Sequence, residues 1–464
     1  MNKPQHIARR AFLQRVGQLG VAGVAAPWAL NLAAMGEAAA FTANDYRALV
    51  CVFLYGGNDH GNTLIPYDAA GHAEYAKVRG ALAIGRTELN AVQLAPVLQG
   101  GRQFALAPSL SALKPFFDAG KMAVQLNVGP LVQPTTLAQY SARAVPLPPK
   151  LFSHNDQQSV WQSAAAEGAV RGWGGAMGDL ALAANGQSLF TCMSVTGNAV
   201  FLAGRDAVSY QIGPKGAIAI NGVVTEPLYD SPACRDALRT LITQSRPHVL
   251  ENEYNRITTR SIDAQKTLTG ALAGTPNFDA QLPDVDAASG QMRALNRQLK
   301  MVARLIAAGR GMGIKRQVFM VSLGGFDTHD NLKERHPALL RQVGDAMAGF
   351  QRSIDSMGVG AGVTTFTASE FGRTLSSNGD GSDHGWGAHH LVLGGAVKGG
   401  AYYGNAPQIA LGGPEDTGQG RLLPTTSVDQ FAATLGRWFG VSDTELALVA
   451  PNIANFSTRN IGFL

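Results

Sequence analysis

Three apolar runs rich in β-forming residues each end in a glycine-rich or small-residue turn that carries a carboxylate, and this pattern restricts the fold most. Ala48 to Tyr55 stops at Gly56-Gly57-Asn58-Asp59, Gln317 to Leu323 at Gly324-Gly325-Phe326-Asp327-Thr328-His329, and Val363 to Ala368 at Ser369-Glu370-Phe371-Gly372-Arg373. Continuous apolar strands of this kind are buried on both faces, as in a parallel sheet. Helical stripes lie between them: Met292, Leu295, Leu299, Val302 and Ile306, then Leu340, Val343, Met347, Phe350 and Ile354. The alternation predicts an α/β fold, a doubly wound and mostly parallel sheet with helices on both faces. A fourth strand is expected over Met122 to Val128 after a helix at Ser109 to Ala119, a helix start at Ser153 to Gln157, and a capping box, Ser427 with Gln430, opening a helix through Trp438. Between about 172 and 283, short β-like runs (Leu189 to Val195, Ala217 to Ile220) and a charged helical stretch (Ala237 to Ala273) read as an inserted cap region, followed by a loop at Pro283 to Gly290.

The first 40 residues read as an address outside the fold. Arg9-Arg10 precedes Phe12-Leu13, no charge occurs from Val16 to Gly36, and Ala38 to Ala40 offers small residues for cleavage. This resembles a twin-arginine export signal and implies a periplasmic or secreted protein, with the domain proper at 41–464. A retained membrane anchor is the competing reading of the same segment. The formal charge of +5 falls to +2 without it, since 34 basic and 32 acidic residues remain. No basic stripe is left, so nucleic acid is not an expected partner. Cys51, Cys192 and Cys234 make neither a disulfide framework nor a zinc ribbon.

Strand ends on one edge of an open α/β sheet can converge although hundreds of positions separate them. Asp59, Asp327, His329 and Glu370 lie at such ends, and the loop from Ser376 to His390 adds Asp383, His384, His389 and His390. Carboxylates mixed with imidazoles suit one or two divalent ions, zinc, manganese, magnesium or calcium. Each residue also has a plain reading: Asp59 as a turn former, Asp327 as a helix N-cap, Glu370 with Arg373 as a surface ion pair, His389-His390 as packing at a strand start. Ser153 before His154 is a candidate nucleophile at a helix start, or simply its cap. No Gly-x-Ser-x-Gly elbow, P-loop or CxxC occurs.

Taken together, the twin-arginine start, VFLYGGNDHGNTLIPYD (52–68), LFSHNDQQSVW (151–161), SLGGFDTHDN (322–331), TASEFGRTLSSNGDGSDHGWGAHHLVLGGAVKGG (367–400) and TTSVDQFAATLGRWFG (425–440) resemble the bacterial family called domain of unknown function 1501. That resemblance implies the alkaline phosphatase-like superfamily, with a central mixed sheet and a two-metal site. It would make Asp59 a bridging ligand, Asp327 with His329 the pair for the other metal, and His384 the late histidine that completes it. Glu370 would stand where the superfamily shows Asp-His, and Ser153 near its nucleophile, without a sulfatase-type Cys/Ser-x-Pro-x-Arg. The expected activity is exported, metal-dependent hydrolysis of a small-molecule or polymer-linked phosphate or sulfate ester, with Arg373 or His389 steadying the oxyanion. The rival expectation is a non-catalytic exported module that binds an envelope partner.

Overall fold

The computed structural model describes residues 43–224 and 227–464, so the segment read as an export signal lies outside the described residues. Its strands in chain order are β1 (Arg47–Leu54), β2 (Leu64–Pro66), β3 (Phe104–Leu106), β4 (Met122–Gly129), β5 (Cys192–Ser194), β6 (Tyr210–Gly213), β7 (Gly216–Ala217), β8 (Arg316–Leu323), β9 (Val363–Ala368), β10 (Ala388–Gly394), β11 (Tyr402–Tyr403) and β12 (Thr426–Ser427). The longer helices are α1 (Ala69–Arg79), α2 (His154–Ser163), α3 (Trp173–Ala181), α4 (Pro232–Thr243), α5 (Val249–Ala273), α6 (Ala294–Gly311), α7 (Leu332–Ser356) and α8 (Val428–Phe439).

The main sheet runs β11-β4-β10-β9-β1-β8-β5-β6-β7, with β12 also pairing β4, and β2 and β3 form a separate ribbon. Pairing is parallel at β9-β1, β1-β8, β8-β5, β5-β6, β4-β11 and β4-β12, and antiparallel at β4-β10, β10-β9 and β6-β7. This is the mixed α/β architecture with a mostly parallel central sheet that the alternating pattern predicts. Two cores lie on its two faces because side chains alternate along a strand. Val50, Val52 and Leu54 of β1 join Leu299 and Val302 of α6 and Val343 and Met347 of α7. Leu49, Cys51 and Phe53 join Trp173 and Met177 of α3 and Phe431 and Leu435 of α8.

The capping box at Ser427 forms, with the Ser427 amide donating to Gln430 Oε1 at 2.9 Å. The helix expected at Ser109 to Ala119 is instead a 3-10 turn, Pro108–Leu113, running into a short helix, Lys114–Asp118. Within the segment read as a cap, 172–283, α3 lies on one sheet face while β5, β6 and β7 extend the sheet beyond β8. Only the α4–α5 hairpin stands apart, with α5 packed on α6 and β7. All three cysteines are free. No described helix is long and apolar enough to cross a membrane.

Candidate metal centre

β9, β1 and β8 are adjacent and parallel, so the turns after all three open on one edge of the sheet. β10 runs antiparallel to β9 and begins at that edge, which delivers the loop before it, including Asp383 and His384, to the same place. β4 is antiparallel to β10, with Val128 opposite Ala388, so the chain leaving β4 toward α2 also starts there. Strand direction alone therefore gathers residues from four distant stretches of sequence.

Three imidazoles meet the Asp327 carboxylate at this edge, and each is held in the same way. His154 Nδ1 lies 2.8 Å from Glu370 Oε1, His329 Nδ1 lies 3.1 Å from Asp383 Oδ1, and His384 Nδ1 lies 2.7 Å from the Phe152 carbonyl oxygen. A carbonyl or an ionised carboxylate only accepts, so each Nδ1 carries the proton and donates it. A ring protonated at Nδ1 alone offers the lone pair of Nε2. His329 Nε2 and His384 Nε2 are 2.9 Å apart, Asp327 Oδ1 is 3.1 Å from the first and 3.3 Å from the second, and His154 Nε2 is 3.5 Å from Asp327 Oδ2. His154 Nε2 is enclosed and makes no hydrogen bond.

Lone pairs facing one another repel unless a proton or a cation lies against them. Ligand atoms of His154, Asp327 and His384 all fall within 4.8 Å of one another. Tetrahedral donors about 2.0–2.2 Å from one ion lie roughly 3.4 Å apart, so His154, Asp327 and His384 fit one divalent ion, with His329 outside that group but adjoining two of its members.

The surroundings hold the set in place. Glu370 is fully buried, and its Oε1 also accepts from Gly56 N at 2.8 Å and Gln158 Nε2 at 3.1 Å. Arg373, equally buried, donates through Nη1 to Asp327 Oδ1 and to the Gly56 carbonyl, each at 2.9 Å, while Nε and Nη2 are taken by Ser382. Lys150 and Phe152 have φ of 43° and 72°, a left-handed turn that aims the Phe152 carbonyl at His384 and costs about 1–3 kcal/mol for each such residue. Phe371 packs against both His154 and His384, with ring centroids 4.9 and 4.7 Å away.

Partial burial pushes the Asp327 carboxyl up, but the Arg373 hydrogen bond and charge, joined by His154 and His329, outweigh it and hold Asp327 below the usual carboxylate range. The hydrogen bond to Glu370 raises His154 against its burial, whereas desolvation lowers His384.

Of the residues singled out from sequence, Asp327, His329 and His384 come together. Glu370 does not reach the donor cluster; it orients His154 from behind, because the backbone after β9 turns its carboxylate toward Gly56 N. Arg373 and Glu370 form no surface pair, since both are enclosed, and Asp327 is no helix cap, since Asn331 is the N-cap of α7. Asp59 lies in a different place. Its Oδ2 pairs with Arg79 from α1, both side chains are shut off from solvent, and Arg79 also donates to Thr374 O at 3.0 Å and Leu375 O at 3.2 Å.

His389 is buried at the start of β10, its Nδ1 accepting from Asn127 N at 3.1 Å and its ring packed edge-to-face on His60, so its contacts are with these residues and not with the donor cluster. Ser153 precedes α2 without a side-chain cap bond, and its hydroxyl donates to Asp156 Oδ2 at 2.9 Å. Sequence reasoning placed Asp383 in the converging loop and His154 beside the candidate nucleophile, but gave neither a role in holding an ion. The available signal was a histidine opening a helix and an acid beside His384.

No curated protein matches the chain. The family described as Protein of unknown function (DUF1501) matches residues 46–450, and the chain belongs to it.

Proposed function

We propose that this chain is an exported metal-dependent hydrolase of phosphate or sulfate esters, with an alkaline phosphatase-like fold and one divalent ion held by His154, Asp327, His329 and His384. One observation carries the reading: three imidazoles, each with Nδ1–H committed to an oxygen acceptor, turn their Nε2 lone pairs toward one carboxylate. Metal-ligating histidines are fixed by such outer partners. Three nitrogens and one carboxylate suit zinc, manganese or a neighbouring first-row ion better than calcium or magnesium, which prefer all-oxygen shells.

When bound, such an ion supplies Lewis acidity toward an ester oxygen. The chain's own groups do the positioning. Arg373 keeps Asp327 ionised and aimed, Glu370 and Asp383 fix the tautomers of His154 and His329, and Phe371 walls the two rings it touches. Ser153, with its hydroxyl proton already directed to Asp156, stands next to His154 as candidate nucleophile, and water is the competing one. Asp59 takes no ion in this reading because Arg79 neutralises it.

A second reading, a non-catalytic exported module for an envelope partner, is favoured by one feature. Arg373, the group expected to steady an oxyanion, is enclosed with its donors in use.

The test is metal content per chain together with hydrolysis of aryl phosphates and aryl sulfates, in wild type and Asp327→Asn, beside a melting curve. The expected outcome is one first-row ion per wild-type chain, and loss of both ion and activity in the variant with the fold retained. Unchanged metal content in Asp327→Asn refutes the ligand role. A metal-replete wild type inert across the ester panel transfers the case to the non-catalytic module.

A further inference from the structure

Arg373 is committed to Asp327, Gly56 and Ser382, so an anion at the centre needs another cation. Arg421 stands where one could act. Its Nε donates to the His384 carbonyl oxygen at 2.8 Å, and its guanidinium carbon lies 5.1 Å from the centre of the Phe152 ring. Phe152 thus meets both residues, its carbonyl taking His384 Nδ1–H and its ring carrying the cation. These contacts leave Nη1 and Nη2, which have no partner among the described residues and reach solvent. Nearby, Arg335 is paired with Asp330 at 3.3 Å and Lys150 with Asp156 at 3.5 Å. The backbone presents Arg421 from a tightly held turn. Gly418, Gln419 and Gly420 have φ of 118°, 60° and 73°, and Asp416 Oδ1 accepts from Gly418 N and Gly420 N, each at 2.7 Å. The Gly420 carbonyl accepts from Leu375 N at 3.1 Å, which docks the turn on the segment that leads to His384.

We propose that Arg421 is a specificity-determining residue of this centre, taking a tetrahedral oxyanion, the phosphate or sulfate group of an ester, through Nη1 and Nη2, a role that rests on the ester-binding reading of the centre. Two free nitrogens side by side on a planar cation match two oxygens of such a group, which the point charge of a lysine does not. A tetrahedral oxyanion has more oxygens than one ion takes, and Arg421 is fastened to the backbone of a proposed ligand of that ion. The carbonyl and the ring already order its side chain, so little further freedom is lost when an anion binds. A neutral donor would hold the His384 carbonyl as well. The charge and the open fork come into use only when an anion arrives.

The test is calorimetric titration of the full chain, as purified, with inorganic phosphate and with inorganic sulfate, in wild type, Arg421→Lys and Arg421→Met. Metal content, a melting curve and the kinetics of aryl phosphate and aryl sulfate hydrolysis accompany it. The two anions report which oxyanion the fork prefers. Metal content and melting temperature should match wild type in both variants. Affinity for the preferred anion should fall by about tenfold or more in Arg421→Lys and further in Arg421→Met, and KM for the matching aryl ester should rise by more than kcat falls. Wild-type anion affinity in Arg421→Met overturns the proposal and leaves the hydrolase reading intact. A variant that loses its metal also overturns it, since Arg421 would then serve only to hold His384, and so does a wild type that binds neither anion. Anion binding that weakens in both variants, in a protein that hydrolyses no ester, upholds Arg421 as the anion residue and removes the hydrolase reading.

Discussion

Glu370 shows how a single side chain sets the chemistry of its neighbour without touching the donor cluster. Its Oε1 collects three donors, from His154, Gly56 and Gln158, while Oε2 has only Ser369 Oγ at 3.5 Å. A glutamine fits there, keeps an acceptor for the imidazole and removes the negative charge that makes Nε2 of His154 a better donor to metal. Glu370→Gln should therefore fold normally and lose roughly 10- to 100-fold in metal affinity, the range for outer partners of metal-bound histidine. Competition with a chelator of known affinity measures it, and an unaltered dissociation constant would show that His154 is not a ligand. The same residue marks a limit of legibility. A carboxylate at a strand end is visible in sequence, but whether it meets a metal or a histidine depends on which way the backbone turns after β9. The role of His154, a histidine visible beside Ser153, was hidden for the converse reason, since a histidine at a helix start becomes a donor only when Glu370 and Phe371, more than two hundred residues away, orient and wall it. Asp327, His329 and His384 were legible because strand direction alone brings them to one edge.

At the level of elements, strands were easier to read than the glycine-rich helix that packs on them. The three apolar runs ending in carboxylate turns became β1, β8 and β9, since burial on both faces needs an unbroken apolar sequence. By contrast α3 contains Trp-Gly-Gly-Ala-Met-Gly, a poor helix by intrinsic propensity, and no helix was expected there. It forms because glycine lets it approach its neighbours closely. A Cβ at Gly175 would fall 2.2 Å from the Ala203 backbone, and one at Gly174 2.5 Å from the Phe201 ring. Tertiary packing outweighs propensity, and the two make opposite forecasts for Gly175→Ala. Propensity alone promises a gain of about 1 kcal/mol, whereas the clash with backbone, which cannot swing aside as a side chain can, predicts a net loss of about 1–3 kcal/mol. The midpoint of denaturant unfolding decides between them, and an increase would mean that α3 does not sit against the 200–204 segment as described.

The whole molecule concentrates buried histidines beneath the sheet edge that carries the candidate metal centre, and this ties its stability to pH. Burial lowers His60 and His336 to about 4 and His390 to about 3, and pushes His389 well below its ordinary value. The groups facing them do not reverse this. Asp59 favours the charged form of His60 and His336, but Arg79 opposes it at both and Arg373 at His336. His389 faces His60, His390 and Arg102, and His390 faces His60. His389 Nδ1 must also stay unprotonated to accept from Asn127 N. Each folded-state value lies below the unfolded value of 6.5, so the unfolded chain binds more protons than the folded one as pH falls. The stabilisation from neutral burial is complete above about pH 6.5 and is lost on acidification toward pH 4, at about 1.4 kcal/mol per pH unit for each histidine once the unfolded form is protonated. Four such groups acting together reach at most about 5.5 kcal/mol per pH unit, comparable with the lower end of a domain's total stability of about 5–15 kcal/mol. The melting temperature should therefore hold steady from pH 8 to 7 and fall steeply between pH 6 and 4.5. Replacing His390, which packs against Trp161 and Phe431 with an unpartnered Nε2, by phenylalanine should flatten that fall by about one histidine's share. A melting temperature level down to pH 4.5, or a His390→Phe curve parallel to wild type, would mean that these imidazoles are not held neutral in the fold.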